Sequence, residues 1–328
     1  MSSKPLSYEP LKAVLLNIKA DKRFEISRRM PTIRNVEKLV PLKIDKLSFG
    51  HLEFAWNQNT YGLGVVGKTI NISRRETLYQ EFISLAINGR VIEYVEHRQP
   101  SFQRASDCLM TMFFGGRCDP ILVNQFTFNG YHFLTLPPNA KLQIQHLTIR
   151  NGIRQDMNAL SPVLAESSFP LQSLKIFVDR STAAEFRDKV VQEAKKVIIE
   201  QNFSSFSTNQ ADNWNFLPAN THFENTKRLD PNDFAALIRY WKISEAAMGR
   251  RCSFGISDDI EEEKFANQTK FKIQEQFNVR ERNGMITVPI DLSSEVHVLK
   301  EDYNGPQDVD VPPKWIFVMK VVRKRSYF

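Results

Sequence analysis

The chain is poor in cysteine and has no long apolar run. Its three cysteines, Cys108, Cys118 and Cys252, are an odd number with no C-x-x-C pair. That argues against a disulfide framework and against a thiolate zinc site, and reduced thiols fit the cytosol or nucleus. The longest apolar stretches, such as Trp315–Met319, are far too short to span a bilayer. Met1–Pro10 is polar and holds two prolines, unlike a signal peptide. The expectation is a soluble protein, cytoplasmic or nuclear, without a membrane partner. The N-x-S/T matches at Asn71, Asn202 and Asn267 then have no meaning as glycan acceptors. The six histidines (His51, His97, His132, His146, His222, His297) show no H-x-x-x-H or H-E-x-x-H spacing, so no metal site is expected. No G-x-S-x-G motif is present, Cys108 reads as a core thiol, and no cofactor is expected.

What is present is ordinary globular composition. A length of 328 residues suits one large domain, or a small one joined to a larger. The net charge of +7 is unevenly placed: residues 1–50 hold eleven Lys/Arg against five Asp/Glu, or +6. A basic head can steer an acidic protein or nucleic acid, although solvated helix faces are the simpler reading. With only Tyr8 and Phe24 as aromatics up to residue 40, stacking on single strands is not expected. Asp258–Glu263 suits a helix N-terminus, and Arg323-Lys324-Arg325 is a weak match to a nuclear import signal.

Leu11, Val14, Leu15 and Ile18 fall at i, i+3, i+4, i+7, one stripe of a helix. Ser7 is placed to cap it, and Pro10 falls in its tolerant first turn. Asp21 is expected to cap a second short helix carrying Phe24 and Ile26. Pro31 opens a third, ended by Pro41. So small a unit must pack on something else.

Beyond Pro41 the pattern becomes short β runs. An apolar spacing h-x-x-h-x-h recurs at Ile44/Leu47/Phe49, Val123/Phe126/Phe128, Ile144/Leu147/Ile149, Leu171/Leu174/Ile176 and Ala194/Val197/Ile199. The last four central positions, 126, 147, 174 and 197, lie 21, 27 and 23 residues apart, close to the leucine-rich-repeat period. Stacked units of this kind make a parallel sheet over a continuous core. Asn88-Gly89 predicts a hairpin between Leu78–Ile87 and Val91–Val95, and Ala105–Phe114 a helix ended by Gly115-Gly116. Asp230-Pro231 predicts an N-cap and N1 pair, and Glu261–Phe277 a further helix. Strands near 286–290, 295–299 and 315–322 would form an antiparallel cap. The outward residues between the apolar positions are Gln125 and Thr127, His146 and Thr148, Ser173 and Lys175, and Lys196 and Ile198. This mixed polar ladder is the expected partner-binding surface.

Several segments, in order, resemble the nematode-expanded family of F-box-like proteins with an uncharacterised F-box-associated domain. They are Pro5-Leu6-Ser7-Tyr8-Glu9-Pro10-Leu11-Lys12, Arg23-Phe24-Glu25-Ile26-Ser27, Pro31-Thr32-Ile33-Arg34 and Val40-Pro41-Leu42-Lys43-Ile44-Asp45. Further matches are Tyr61-Gly62-Leu63-Gly64-Val65, Phe113-Phe114-Gly115-Gly116-Arg117, Ser168-Phe169-Pro170-Leu171, Phe254-Gly255, Ser293-Ser294-Glu295 and Trp315-Ile316. The chain departs from the family in a degenerate head and in a shorter stretch over Lys68–Tyr79. The resemblance implies an F-box-like head, and with the recurring spacing the expected fold is α/β (α+β), a three-helix F-box-like head (1–42) followed by an irregular leucine-rich-repeat-like body (43–328). It implies a non-enzymatic role in substrate recognition for an Skp-cullin-F-box-type ubiquitin ligase. The head would dock on an Skp-type adaptor through Pro5, Leu6, Leu11, Leu15 and Ile18, with Arg23 as a polar contact, while the body takes an unknown target protein.

The alternative is a nucleotide-binding protein. Gly62-Leu63-Gly64-Val65-Val66-Gly67-Lys68-Thr69 satisfies G-x-x-x-x-G-K-[ST], in which backbone amides of a loop cradle phosphates and the Lys and Thr serve phosphate and Mg²⁺. Gly67, Lys68 and Thr69 would hold the nucleotide, with Asp179 after Leu174–Val178 as the magnesium carboxylate. The flanks argue for a hairpin strand instead: Trp56–Thr60 is polar and turn-like, and Ile70-Asn71-Ile72-Ser73 is a poor helix start.

Overall fold

A computed structural model describes residues 8–50, 53–73, 76–96, 102–129, 136–137, 139–178, 186–201, 217–224, 230–244, 246–256, 262–302 and 315–324. The chain divides into two compact units, residues 1–151 with 155–168 and residues 152–154 with 169–328. Both mix α and β structure, and the described residues form eight α-helices. The division expected after residue 42 does not appear there. The helical head belongs to the first unit because its side chains complete that unit's core.

The head comprises α1 (Tyr8–Leu16), α2 (Ala20–Arg29) and, after a 3₁₀ turn opened by Pro31, α3 (Arg34–Lys38). Within the expected stripe Leu15 is buried, Leu11 and Ile18 are half-buried and Val14 is exposed. Lys19, not Asp21, is the N-cap of α2, and the Asp21 carboxylate instead accepts from Asn57 Nδ2 at 3.2 Å. Helices this short do not persist alone. Phe24 of α2 stacks on Phe113 of α4 (Phe102–Phe114) with ring centroids 3.8 Å apart. Phe54, Trp56, Tyr61 and Phe114 close around that pair, and burial pushes the Tyr61 hydroxyl up to about 12.

The first unit's strands are β1 (Lys43–Phe49), β2 (Glu53–Trp56), β3 (Asn59–Ser73), β4 (Glu76–Ile87), β5 (Arg90–Glu96), β6 (Ile121–Phe128) and β7 (Leu142–Ile149). Their order is β7-β6-β1-β2-β3-β4-β5. β7, β6 and β1 are parallel; β1 to β5 form an antiparallel meander. The recurring spacing lines up in register: Ile44, Val123 and Ile144 are neighbours, as are Leu47, Phe126 and Leu147, and Phe49, Phe128 and Ile149. Pairing skips Asp45, Asn124 and Gln145, where the two intervening residues of each run stand off the core side by side. Asn124 Nδ2 donates to Asp45 Oδ1 at 2.9 Å there. The Asn88-Gly89 turn has φ of 51° and 75°, the left-handed pair that a tight hairpin requires.

In the second unit, β8 (Ser173–Val178), β9 (Val197–Gln201), β10 (Asn220–Glu224) and β11 (Arg251–Ile256) are parallel neighbours. β12 (Arg280–Arg282), β13 (Met285–Pro289), β14 (Ser294–Asp302) and β15 (Trp315–Arg323) follow as an antiparallel series joined through β15 to β11. This is the expected cap. The unit's helices are α6 (Lys189–Glu193), α7 (Pro231–Ile243) and α8 (Glu262–Gln276), while most of α5 (Ile153–Leu160) belongs to the first unit. α7 begins as its sequence predicts. Asp230 Oδ1 accepts from Asn232 N at 2.8 Å, and Asp233 Oδ2 accepts from Asp230 N at 3.0 Å. Phe234 then packs on Phe254 and Phe317, with centroids 4.9 and 5.2 Å away.

Burial raises the Asp233 carboxyl to about 6, above its ordinary 3.8. A raised carboxyl binds its proton more tightly in the fold than in the unfolded chain. Its contribution is therefore complete below about pH 3.8 and lost as pH rises through 6. Asp233→Asn keeps an acceptor for the Asp230 amide and removes the charge. Urea midpoints should favour this variant by on the order of 1 kcal/mol at pH 7.5, with no gain at pH 3.5. An equal difference at both pH values would rule out titration as the cause.

Candidate functional site

A parallel sheet whose core side holds one apolar residue per strand in each row must present the intervening residues on its other side. On the first unit these are Lys46, Gln125 and His146 in one row and Ser48, Thr127 and Thr148 in the next. Gln125 is exposed, while Thr127, His146 and Thr148 are half-buried; burial lowers the His146 ring from its ordinary value. All four body residues expected from this unit thus lie together on one face, on adjacent strands.

The second unit repeats the arrangement and extends it. Leu174, Val197, Thr221 and Cys252 share one core row, and Ile176, Ile199, Phe223 and Phe254 the next. The outward row between them holds Lys175, Ile198, His222 and Ser253. Ser173 and Lys196 precede it, half-buried. The face here is a charge network more than a mixed ladder. Lys175 Nζ reaches Glu200 Oε2 at 2.7 Å and Glu224 Oε2 at 2.5 Å. Burial alone would lower the Lys175 ammonium, but the two carboxylates outweigh it and raise it. Arg251 Nη2 pairs with Glu301 Oε2 at 2.9 Å. Lys175 is therefore committed within its own sheet. Reversing its charge would set three carboxylates together, so Lys175 is not a neutral site for substitution.

His222 and Ser253 were not among the expected site residues. Their Nδ1 and Oγ atoms are 2.9 Å apart, both residues are buried, and the pair has the residue types of a nucleophile and its base. The electrostatics oppose that chemistry. Burial first, then the charges of Lys196, Arg251 and Lys175, push the His222 ring down to about 3. A base that weak cannot usefully take a hydroxyl proton near neutral pH. Thr221 and Cys252 stand where the earlier runs carry large aliphatic residues, which hides β10 and β11 from the apolar pattern.

The head residues are placed unevenly. Pro5 and Leu6 lie outside the described residues. Leu15 is in the core at 1% exposure. Arg23, expected as an outward polar contact, is buried and donates to Pro41 O, Val40 O and Glu37 Oε1 at 2.8–2.9 Å. The apolar side chains that α1 does present are Tyr8, Val14 and Leu16.

The phosphate-loop reading does not fit the backbone. Gly62–Thr69 runs inside β3, paired residue by residue with β4 from Ala86 to Tyr79, and the chain continues as strand to Ser73. Amides committed to a ladder cannot converge on a phosphate, and no helix N-terminus follows. Asp179 lies outside the described residues. No group of three His, Cys, Asp or Glu able to hold a metal occurs among the described residues. No described helix is long and apolar enough to cross a membrane. Cys108 and Cys118 are exposed free thiols, so Cys108 is not the core thiol expected. Cys252 is buried, its thiol pushed up to about 12.

No curated protein and no solved structure matches the chain. Residues 102–258, somewhat under half of it, match the family model described as Domain of unknown function (DUF3557), an uncharacterised domain that here runs from α4 to just past β11 and takes in the parallel strands β6 to β11.

Proposed function

We propose that the protein is an interaction module that binds a partner protein through the outward ladder of its parallel strands. The observation that carries this reading is the registered polar face of the first unit, where Gln125, Thr127, His146 and Thr148 stand on adjacent strands. Half-buried polar groups on a rigid sheet are held for specific hydrogen bonding at little entropic cost. The irregular 21–27-residue return makes the body leucine-rich-repeat-like in plan. The resemblance to F-box-like proteins extends the proposal to substrate recognition for an Skp-cullin-F-box-type ligase. The exposed Tyr8, Val14 and Leu16 of α1 favour an apolar contact by the head with an Skp-type adaptor, alongside the half-buried Leu11 and Ile18.

Two variants test the two surfaces separately. Gln125→Glu, at an exposed position, should change stability by less than about 0.5 kcal/mol and the half-buried Thr148→Glu by about 1 kcal/mol, and the pair should abolish partners found by proximity labelling. Val14→Asp with Leu16→Asp should leave those partners and remove binding to purified Skp-type adaptor. If the unmodified chain does not bind the adaptor, the ligase role is wrong. If the ladder variant folds and keeps every partner, the target contacts another surface.

A further inference from the structure

An open cleft of about 1260 Å³ lies in the first unit, between α2, the turn before it and the sheet. It is distinct from the ladder of Gln125, Thr127, His146 and Thr148. Its rim and its floor differ in character. Lys19, Lys22, Arg28 and Lys43 line the rim and are exposed. The floor holds Tyr61, which is only 5% exposed, with Phe24, Ile87 and Asp21, all half-buried. Phe24 and Tyr61 meet edge to face, with centroids 6.2 Å apart, and Ile87 is the neighbour of Tyr61 across the β3–β4 ladder.

Two hydrogen-bonding groups of that floor are left open. The Tyr61 hydroxyl bonds to no described residue, and it is not sealed from solvent, so it opens on the cleft. A buried tyrosine hydroxyl usually finds a partner. Asp21 is held in place from one side. Asn57, at a left-handed φ of 54°, accepts at Oδ1 from the amides of Asp45 and Lys46, each at 3.0 Å. That fixes its Nδ2, which donates to Asp21 Oδ1 at 3.2 Å. Asp21 Oδ2 accepts from no described residue. Lys19 and Lys22 act on Asp21 through space, but neither forms an ion pair with it, and Lys22 is bonded to Glu25 at 3.0 Å instead. Burial outweighs both lysines and the bond from Asn57, and raises the Asp21 carboxyl above its ordinary value. A close donor is what a carboxylate so short of water lacks. Both open groups accept hydrogen bonds, and the surface beside them, Phe24 and Ile87, is apolar. A guanidinium carries five N–H donors in one plane, and the alkyl stem behind it covers apolar surface. An ammonium is more strongly hydrated and gives up its water less readily. The rim cations oppose any cation, but they are exposed, where water and salt screen them.

We propose that the cleft over Asp21 and Tyr61 binds a guanidinium group, either free or at the end of a partner's arginine side chain. Calorimetric titration of the full chain tests it, with ethylguanidine, with a blocked five-residue peptide of alanines around one arginine, and with the same peptide carrying citrulline, which keeps the shape and lacks the charge. The arginine peptide should bind at least tenfold more tightly than its citrulline twin. Asp21→Asn, which can still accept from Asn57, and Tyr61→Phe, which keeps the ring, should each raise the Kd of the arginine peptide about tenfold. Tyr61→Phe should melt with the parent, because the hydroxyl makes no bond within the described fold, and this separates loss of binding from loss of structure. An arginine peptide that binds well below the concentrations of ethylguanidine assigns the group to a partner's chain; equal potency assigns it to a free guanidine compound. No binding of either guanidinium probe, a citrulline peptide as tight as the arginine peptide, or binding that survives both substitutions overturns the proposal.

Discussion

Glu37→Ala is expected to destabilise the protein by about 3–5 kcal/mol, the usual result of removing one partner from a buried ion pair. The side chains of Arg23, Glu37 and Arg117 are between 3% and 6% exposed. Without the carboxylate, two guanidinium groups would face each other away from water. Arg23 would keep its bonds to Pro41 O and Val40 O, but Arg117 would lose both Glu37 oxygens, each at 2.8 Å. Glu37→Gln, which keeps the shape and one acceptor, should lose less than the alanine variant. Urea unfolding of the three proteins measures this directly. An alanine variant within 0.5 kcal/mol of the parent, as is usual for a surface change, would show that the cluster does not hold the head in place.

The second large effect is expected at Phe113. The ring is 1% exposed and meets Phe24 face to face at 3.8 Å, Tyr61 edge-on at 4.8 Å and Phe54 edge-on at 5.0 Å. Phe113→Ala should cost about 3–5 kcal/mol, from lost burial plus the cavity left behind. Phe24 is only half-buried and depends on Phe113 for its stacking partner, so the loss should spread to α2. Hydrogen exchange should therefore quicken in α2 as well as in α4. If α2 keeps its protection while α4 loses it, the head is held by other contacts.

Several elements could be read from residues alone because their signals are local. Asn88-Gly89 fixes a hairpin through its left-handed backbone, and Asp230-Pro231 fixes a helix start through its cap. The recurring apolar spacing identified β1, β6, β7, β8 and β9 and the side each residue faces. It stopped at β10 and β11 because Thr221 and Cys252 fill core rows that larger aliphatic residues fill elsewhere. What the residues could not disclose was pairing between distant side chains. Arg23 has the composition of a surface contact, and only the fold brings Glu37 and Arg117 to it. Lys175 likewise looks like a spare cation until Glu200 and Glu224 arrive from other strands. The glycine-rich run over Gly62–Thr69 satisfied a phosphate-loop pattern, yet its β-branched content and its polar flanks agreed with the strand that it forms.

The pairing of β1 with β6 bears on how the chain is made. Asp45 and Asn124 are 79 positions apart, and Glu37 and Arg117 are 80. Between them lies the whole meander β2 to β5 together with α4, built from contacts close in sequence that form quickly. A nascent chain that has reached only α4 can pair Arg23 with Glu37 and wind the meander, but it has nothing to lay beside the free edge of β1. Arg117 and β6 emerge together, four residues apart, and deliver in one stretch both the latch for the head and the neighbour for that edge. Vectorial synthesis thus leaves β1 uncovered for the time it takes to make one further short segment.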